Sequence, residues 1–256
     1  MSDGGYFGAP GETYGFLFRE EVHDSNPKLL LGTRLRGNEG VHDGVEVVLG
    51  LAKHPATARF ISYKLCRYLV NDEPSDALVA RVTGVFRKSG GNLPKVYEAI
   101  VTSNEFLRPE NYRAKFKTPL EYVVSCLRAT DASVDDYDDL LSSLDQMGYD
   151  VYGCIDPTGY YDQAEAWLDP GVLVRRWQFA IRLSLDQVGG VTLPQELVQR
   201  IDGDTVEQTH DAIIAEFLPG GVDPQTDALL TERMSRLPGA RYALGLVLGS
   251  PVFQQQ

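Results

Sequence analysis

Residues 54–70, HPATARFISYKLCRYLV, constrain the fold of this chain more than any other stretch. Pro55 suits the first position of a helix, because its fixed φ is already helical and its missing N–H loses no partner there. Apolar side chains then recur at helical spacing and form one stripe: Ala58, Ile61, Leu65, Tyr68 and Leu69. Such a stripe is stabilised by burial, so the sequence predicts a helix packed among other helices.

Start signals in the rest of the chain predict those other helices. The clearest is Thr118-Pro119-Leu120-Glu121, which has the threonine and glutamate of a capping box. The helix it opens is predicted to bury Leu120, Val123, Val124 and Leu127. Further helices are predicted at 41–53, 75–88, 92–101, 205–217, 223–237 and 240–248, after Asp169, and within the acidic stretch 131–145 with Ser133 as its cap. The helix at 41–53 should turn Val45, Val48, Leu49 and Ala52 inward.

Two strand-like runs near the N-terminus, at 13–20 and 28–36, flank a turn at 23–27. Asp24 and Asn26 favour turns by bonding their own backbone, and Pro27 fixes φ. We therefore predict a mainly α fold, an irregular multi-helix bundle with one small N-terminal β-hairpin. A loose segment at 1–13 precedes a single helical domain at 14–256. That domain comprises the hairpin (14–36), a helical core (41–130) and a second helical layer (131–256).

Composition excludes several classes of function. A net charge of −12 argues against nucleic-acid binding, which depends on clustered lysine and arginine. No run reaches the roughly 18 apolar residues of a membrane-spanning helix, and residues 1–18 lack the pattern of a secretory signal. The three cysteines show no metal-binding spacing, and Cys66 and Cys126 fall in predicted helices as small buried hydrophobes. We predict no metal and no cofactor.

Residues 146–161, QMGYDVYGCIDPTGYY, form the longest break in helical periodicity, and long irregular loops in compact domains are often functional. This loop and the turn after it supply six candidate ligand-binding residues: Tyr152, Asp156, Tyr160, Asp162, Glu165 and Trp167. Aromatic rings beside carboxylates could form a shelf for a sugar or peptide. The alternative is that the rings anchor the loop while Asp162 and Asp169 cap helices. A third interpretation pairs Asp156 with Glu165 as glycosidase carboxylates.

Secondary candidates are His54, Arg59 and Lys117. A histidine at a helix start is either a cap and surface group or a catalytic base. Lys117 belongs to a short basic run with Arg113 and Lys115, which predicts a solvated face or an anion site at the helix start of Thr118. No motif of a nucleophile with its base occurs, so no catalytic residue is assigned.

Five segments occur in an order that resembles one known family: HPATARFISYKLCRYLV, DALVARVTGVFRKSGGNLPKVYEAIVTSNEF, RAKFKTPLEYVVSCLRAT, MGYDVYGCIDPTGYYDQAEAWLDPGVLVRRWQFA and LVLGSPVF. Over residues 14–256 the chain resembles the bacterial proteins catalogued as domain of unknown function 1800. The resemblance implies a mostly helical fold, export from the cytoplasm and a sulfatase-like companion encoded nearby. It implies no established activity.

Members of that family are typically much longer and carry a further helical half before the hairpin. We therefore expect this chain to be a fragment, the product of a split gene or a minimal version. An apolar patch should be exposed if that half normally packs on it.

Two functional hypotheses follow. The first is a non-catalytic helical module of an exported protein that binds a partner or a polymer, the partner being the further half or the sulfatase-like companion. The alternative is a hydrolase of glycans or esters that uses Asp156, Asp162 or Glu165 as acid and base.

Overall fold

The computed structural model describes residues 18–37 and 39–256. This part of the chain is mainly α-helical, as predicted, and contains two small antiparallel sheets. Its helices are α1 (Val41–Lys53), α2 (Pro55–Leu69), α3 (Asp76–Lys88), α4 (Leu93–Val101), α5 (Pro119–Ala129), α6 (Asp138–Gln146), α7 (Pro170–Ser184), α8 (Gln195–Ile201), α9 (Val206–Phe217), α10 (Pro224–Arg236) and α11 (Ala240–Leu248). Its strands are β1 (Lys28–Leu30), β2 (Thr33–Leu35), β3 (Ser133–Val134) and β4 (Val191–Thr192).

The chain divides into two compact units. The first unit comprises Met1–Lys64 and Val79–Ala99, and the second comprises Leu65–Leu78 and Ile100–Gln256. The single helical domain over 14–256 stays a prediction.

The hairpin of the first unit is present, but the predicted positions of its strands are wrong. Strand β1 pairs with β2 across Leu31 and Gly32, so both strands lie inside the predicted second strand. Leu31 and Gly32 have φ of 47° and 78°, the positive pair that a two-residue type I′ turn requires. The Asp24–Asn26 turn forms, yet Glu20–Val22 before it is a short 3₁₀ helix, and residues 13–17 lie outside the described residues. This turn was not predicted from the sequence, because leucine rarely adopts a positive φ.

Helix α1 has the predicted bounds, but its predicted inward face is wrong. Val45, Val48 and Leu49 are exposed, and the buried residue of the helix is Asp43. The Asp43 carboxylate lies 3.1 Å from His23 Nε2 and accepts a hydrogen bond from Lys28 Nζ at 3.4 Å. Periodicity predicts that a helix has an apolar face, but it does not supply an element to cover that face.

Helix α2 forms at the predicted place, and its buried line is rotated from the predicted stripe. Ala58, Ser62, Cys66 and Val70 are the buried positions, spaced four apart, whereas Tyr68 is exposed. Small side chains such as Ala58 and Ser62 allow the helix backbone to approach its neighbours closely. A prediction based on the spacing of large apolar residues does not include such positions.

The predicted helix starts of the second unit are confirmed at four positions. Thr118 and Thr205 form capping boxes with Glu121 and Gln208. Asp169 and Asp223 accept hydrogen bonds from the first N–H groups of α7 and α10. These side chains satisfy backbone donors that a helix leaves unpaired at its start.

Two further predictions in this unit are wrong. Ser133 is not a helix cap but lies in β3, which pairs with β4, and α6 begins later at Asp138. Val124 of α5 is exposed, while Tyr122 and Cys126 are buried. Both errors arise because strand pairing and burial depend on chain segments far away in sequence.

The core of the second unit is centred on α11, which packs against α7 and α9. Gly245 permits the approach of α11 to α7, since an added Cβ would lie 2.6 Å from Ile181 Cδ1 and 2.7 Å from Ser184 Oγ. On the inner side, the buried Tyr122 hydroxyl donates to the carbonyl of Arg176 at 3.0 Å and lies 3.2 Å from that of Leu248. One residue of α5 is thereby tied to both helices.

We expect Gly245→Ala to lower the free energy of unfolding by about 1–2 kcal/mol, because overpacking outweighs the helix propensity gained. Gly84 of α3 is the matched control, since nothing lies within 4 Å of its added Cβ. Gly84→Ala should raise that free energy by about 0.5–1 kcal/mol. Urea denaturation measures both, and equal effects would contradict a close helix contact at Gly245.

Candidate functional site

Three rings of the predicted loop form one aromatic cluster. Tyr149 and Tyr160 stack with centroids 4.3 Å apart, and buried Trp167 lies 5.9 and 6.0 Å from them. The Tyr160 hydroxyl bonds both the N–H and the carbonyl of Asp150 at 3.0 Å, and Trp167 Nε1 donates to the carbonyl of Tyr161 at 2.8 Å. These rings pack against one another, and this supports the interpretation that Tyr160 and Trp167 anchor the loop.

The tip of the loop is open to solvent. Tyr152 is fully exposed, with a φ of 63°. Asp156 accepts hydrogen bonds from the backbone N–H and hydroxyl of Thr158, at 2.9 and 2.8 Å, and these bonds lower the pKa of its carboxyl. Glu165 is exposed on the short 3₁₀ helix Ala164–Trp167.

Asp162 belongs to a partly buried polar network. Its carboxylate lies 2.8 Å from Arg67 Nη2. Lys115 Nζ donates to the Asp162 carbonyl at 2.7 Å and also to the Asp72 carboxylate. Asp72 in turn accepts from the N–H of Ala164 at 2.8 Å. The predicted capping role of Asp162 is therefore wrong, because a carboxylate remote in sequence caps this turn.

The three loop carboxylates do not converge. Asp156 binds its own turn, Asp162 pairs with Arg67, and Glu165 faces solvent. Residues 149–167 line neither the cavity between α7, α10 and α11 nor the cavity formed by the segment before α5 and the end of α2.

The secondary candidates are separated as well. In the first unit, His54 accepts the N–H of Ala56 on Nδ1 at 3.1 Å, the arrangement of a helix cap, and Arg59 is exposed. In the second unit, Lys117 is buried, so its predicted solvated face is wrong. The alternative anion site at the start of α5 is filled by the chain itself, since the Glu121 carboxylate accepts the N–H of Thr118 at 2.8 Å.

Lys117 and Arg176 form a buried pair of cations that sequence reasoning missed. Lys117 Nζ donates to the Phe253 carbonyl at 2.5 Å and lies 4.2 Å from the centroid of that ring. Fully buried Arg176 donates to the carbonyl of Lys117 at 2.8 Å, and its guanidinium lies 4.5 Å from the Phe116 ring centroid. Burial lowers the pKa of Lys117, and that of Arg176 to about 10. Backbone carbonyls and aromatic rings, rather than carboxylates, are the groups that contact these two buried cations.

An apolar groove of about 510 Å³ lies on the second unit, between α7, α10 and α11. Trp177 is half exposed along it, and an added Cβ on Gly249 would meet the indole at 2.5 Å, so this glycine lets the ring lie against the end of α11. The other apolar walls come from Met147, Phe179, Ile181, Leu237, Tyr242 and Leu246. This volume falls in the range of ligand-binding pockets.

Four arginines line the edge of the apolar groove: Arg175, Arg182, Arg233 and Arg236. Two of these arginines form ion pairs, Arg182 with Asp139 and Arg236 with Glu232. Arg175 reaches only the neutral amide of Gln178, at 3.3 Å. Within the described residues, neither Arg175 nor Arg233 has an acidic partner. Positive charge is therefore left at the edge of an apolar surface.

The described residues contain no group of three or more His, Cys, Asp or Glu side chains that could hold a metal ion. Cys66 and Cys126 are buried, and burial raises the pKa of Cys126 to about 12, so this thiol stays protonated at neutral pH.

Comparison with known proteins identifies the family. The family model described as "Protein of unknown function (DUF1800)" matches residues 4–255. The chain belongs to this family. That family membership confirms the resemblance drawn from the five sequence segments. No curated protein and no solved structure matches the chain. In the described part of this family member, no helix is long and apolar enough to cross a membrane.

The stability that Asp139 contributes through its bonds to Gly189 and Arg182 should depend on pH. The Asp139 carboxylate accepts from the N–H of Gly189 at 2.7 Å and from Arg182, and these bonds lower its pKa. A lowered folded-state pKa gives stability that is present above the unfolded pKa near 4 and is lost as pH falls through the folded value. At pH 7, Asp139→Asn should therefore cost about 0.5–1 kcal/mol, an effect limited by partial exposure.

Urea unfolding from pH 7 down to pH 3 measures this difference. Asp145→Asn, at an exposed site on the same helix, should leave the unfolding free energy unchanged. A penalty for Asp139→Asn that persists undiminished in acid would contradict the assignment.

Proposed function

We propose that this chain is a non-catalytic binding module, and that the apolar groove receives a segment of a partner protein. The observation that carries the proposal is the exposed apolar surface around Trp177, which the core of the second unit leaves uncovered. Tryptophan and arginine are the residues most enriched where protein interfaces derive their binding energy.

The charge around the groove favours one kind of segment. The chain as a whole has a net charge of −12, yet four arginines stand at this edge and two of them lack an acidic partner within the described residues. Electrostatic complementarity selects partners of the opposite sign. The expected occupant is a peptide segment with apolar side chains for the groove and Asp or Glu beside them for Arg175 and Arg233.

The geometry of the loop supports binding over hydrolysis. Glycoside hydrolysis needs two carboxyl groups on opposite sides of one bond, at a fixed separation. Asp156, Asp162 and Glu165 are instead occupied by other groups or directed to solvent. The positions of these carboxylates therefore favour the binding function over the hydrolase alternative.

The family resemblance supports the setting of this binding. The resemblance supports a partner outside the cytoplasm and two sources for the segment, a further helical half or the sulfatase-like companion. Export of the chain and these two sources of the segment are parts of this proposal.

Selection of a random peptide library on the immobilised chain tests the groove directly. We expect the selected peptides to combine apolar residues at helical or alternating spacing with Asp or Glu. Leu237→Lys should weaken their binding by about tenfold or more, because it places a charge in the apolar wall. Leu229→Lys is the matched control. Leu229 lies on α10, which Leu237 directly follows, and it is similarly exposed (49% against 55%) but does not line the groove.

The proposal fails if selection returns no consensus, if the consensus is basic, or if both lysine variants bind equally well. Thermal unfolding of both variants shows whether a loss of binding reflects loss of the fold.

A further inference from the structure

A second cavity in the second unit has a different character. It measures about 740 Å³ and is lined by the segment before α5, by the end of α2 and by Gln255 and Gln256. The partly exposed rings of Tyr68 and Tyr112 line it. Its charged lining residues are Arg108, Arg113, Lys115 and Glu121. Aromatic faces mixed with hydrogen-bonding and charged groups suit a polar ligand rather than a lipid-like one.

Arg113 is held in an unusual position at this cavity. Its φ of 55° is rare for a residue other than glycine. The guanidinium lies 5.2 Å from the ring centroid of Tyr112, and Nη1 donates to the carbonyl of Gly221 at 3.3 Å. An added Cβ on Gly220 would meet the Tyr112 hydroxyl at 2.3 Å and Arg113 Nη2 at 3.1 Å, so the turn after α9 fits closely against both side chains.

The other charged side chains that line the cavity already have partners. Arg108 lies 3.8 Å from the Glu110 carboxylate. Lys115 is buried and pairs with Asp72. Glu121 accepts the N–H of Thr118 on one carboxylate oxygen and the Tyr68 hydroxyl on the other, at 2.8 and 3.1 Å. Arg113 contacts only a ring and a neutral carbonyl, so its charge has no counterpart among the described residues.

We propose that this cavity binds an acidic saccharide, with a carboxylate of the sugar on Arg113. The guanidinium presents paired N–H donors to a carboxylate, the geometry in which arginine binds such groups most strongly. The exposed ring of Tyr112, next to Arg113, offers a flat apolar surface to the face of a sugar ring. The exposed amides of Gln255 and Gln256 provide donors and acceptors for hydroxyl groups.

This site is separate from the apolar groove and shares no lining residue with it. A ligand here is compatible with a module that also holds a partner protein, and each proposal can fail without the other.

Isothermal titration of the full chain at low salt tests the inference, with the trimer of galacturonic acid as the probe and maltotriose as an uncharged trisaccharide for comparison. We expect the acidic trimer to bind and maltotriose to bind at least about tenfold more weakly, since a charged hydrogen-bonded pair is lost. Arg113→Gln should weaken binding of the acidic trimer by about tenfold or more. Tyr112→Ala should weaken both sugars.

Matched controls separate binding from folding. Arg128→Gln removes an exposed arginine of α5 that does not line the cavity. Tyr137→Ala removes a tyrosine that is as exposed as Tyr112, at 64% each. Both controls should bind like the wild type, and circular dichroism should show the same helicity for all variants.

The inference is overturned if the wild type binds neither sugar, if it binds both with equal affinity, or if Arg113→Gln binds like Arg128→Gln. Loss of binding in the two tyrosine variants alike would also contradict it.

Discussion

The approach of α11 to α7 is the contact on which the second unit depends. Gly245 brings the two backbones close together, with Ile181 and Ser184 directly against it. On the inner side of this pair, the hydroxyl of Tyr122 reaches carbonyls of both helices. On the outer side, the same pair leaves Trp177 and its apolar neighbours facing the groove. One helix contact therefore fixes both the core and the proposed binding surface.

The segment before α5 shows how this unit accommodates buried charge. Lys117 and Arg176 are taken out of water without carboxylate partners, and the desolvation of each lowers its pKa. Backbone carbonyls and the rings of Phe116 and Phe253 surround them. Phe116 also forms an antiparallel bridge with Gln255, which fixes the end of the chain beside these cations. The ion–ring contacts are thus part of what holds the C-terminal residues in place.

The residues that sequence analysis marked as a binding loop have a different use in the structure. Tyr160 and Trp167 pack with Tyr149, and Asp162 pairs with Arg67. Asp72, far away along the chain, caps the turn that follows the loop. The apolar groove and the second cavity lie elsewhere. Trp177 of the groove lies on the helix predicted after Asp169, and Arg113 of the second cavity belongs to the predicted basic run. No single motif distinguished either residue as part of a site.

The sequence by itself determined the helices and most of their starts. Thr118 with Glu121, Thr205 with Gln208, and Asp169 act within a few residues of one another, so local pattern is sufficient to predict them. The family, too, could be recognised from ordered segments. Burial could not be predicted in the same way, because it depends on which element covers a helix face. Ser62 is buried, for example, while Val48 is exposed. Only the tertiary structure decided that Arg176 lies in the core, that Ser133 joins a strand and that arginines gather around Trp177, because each depends on residues distant in the chain.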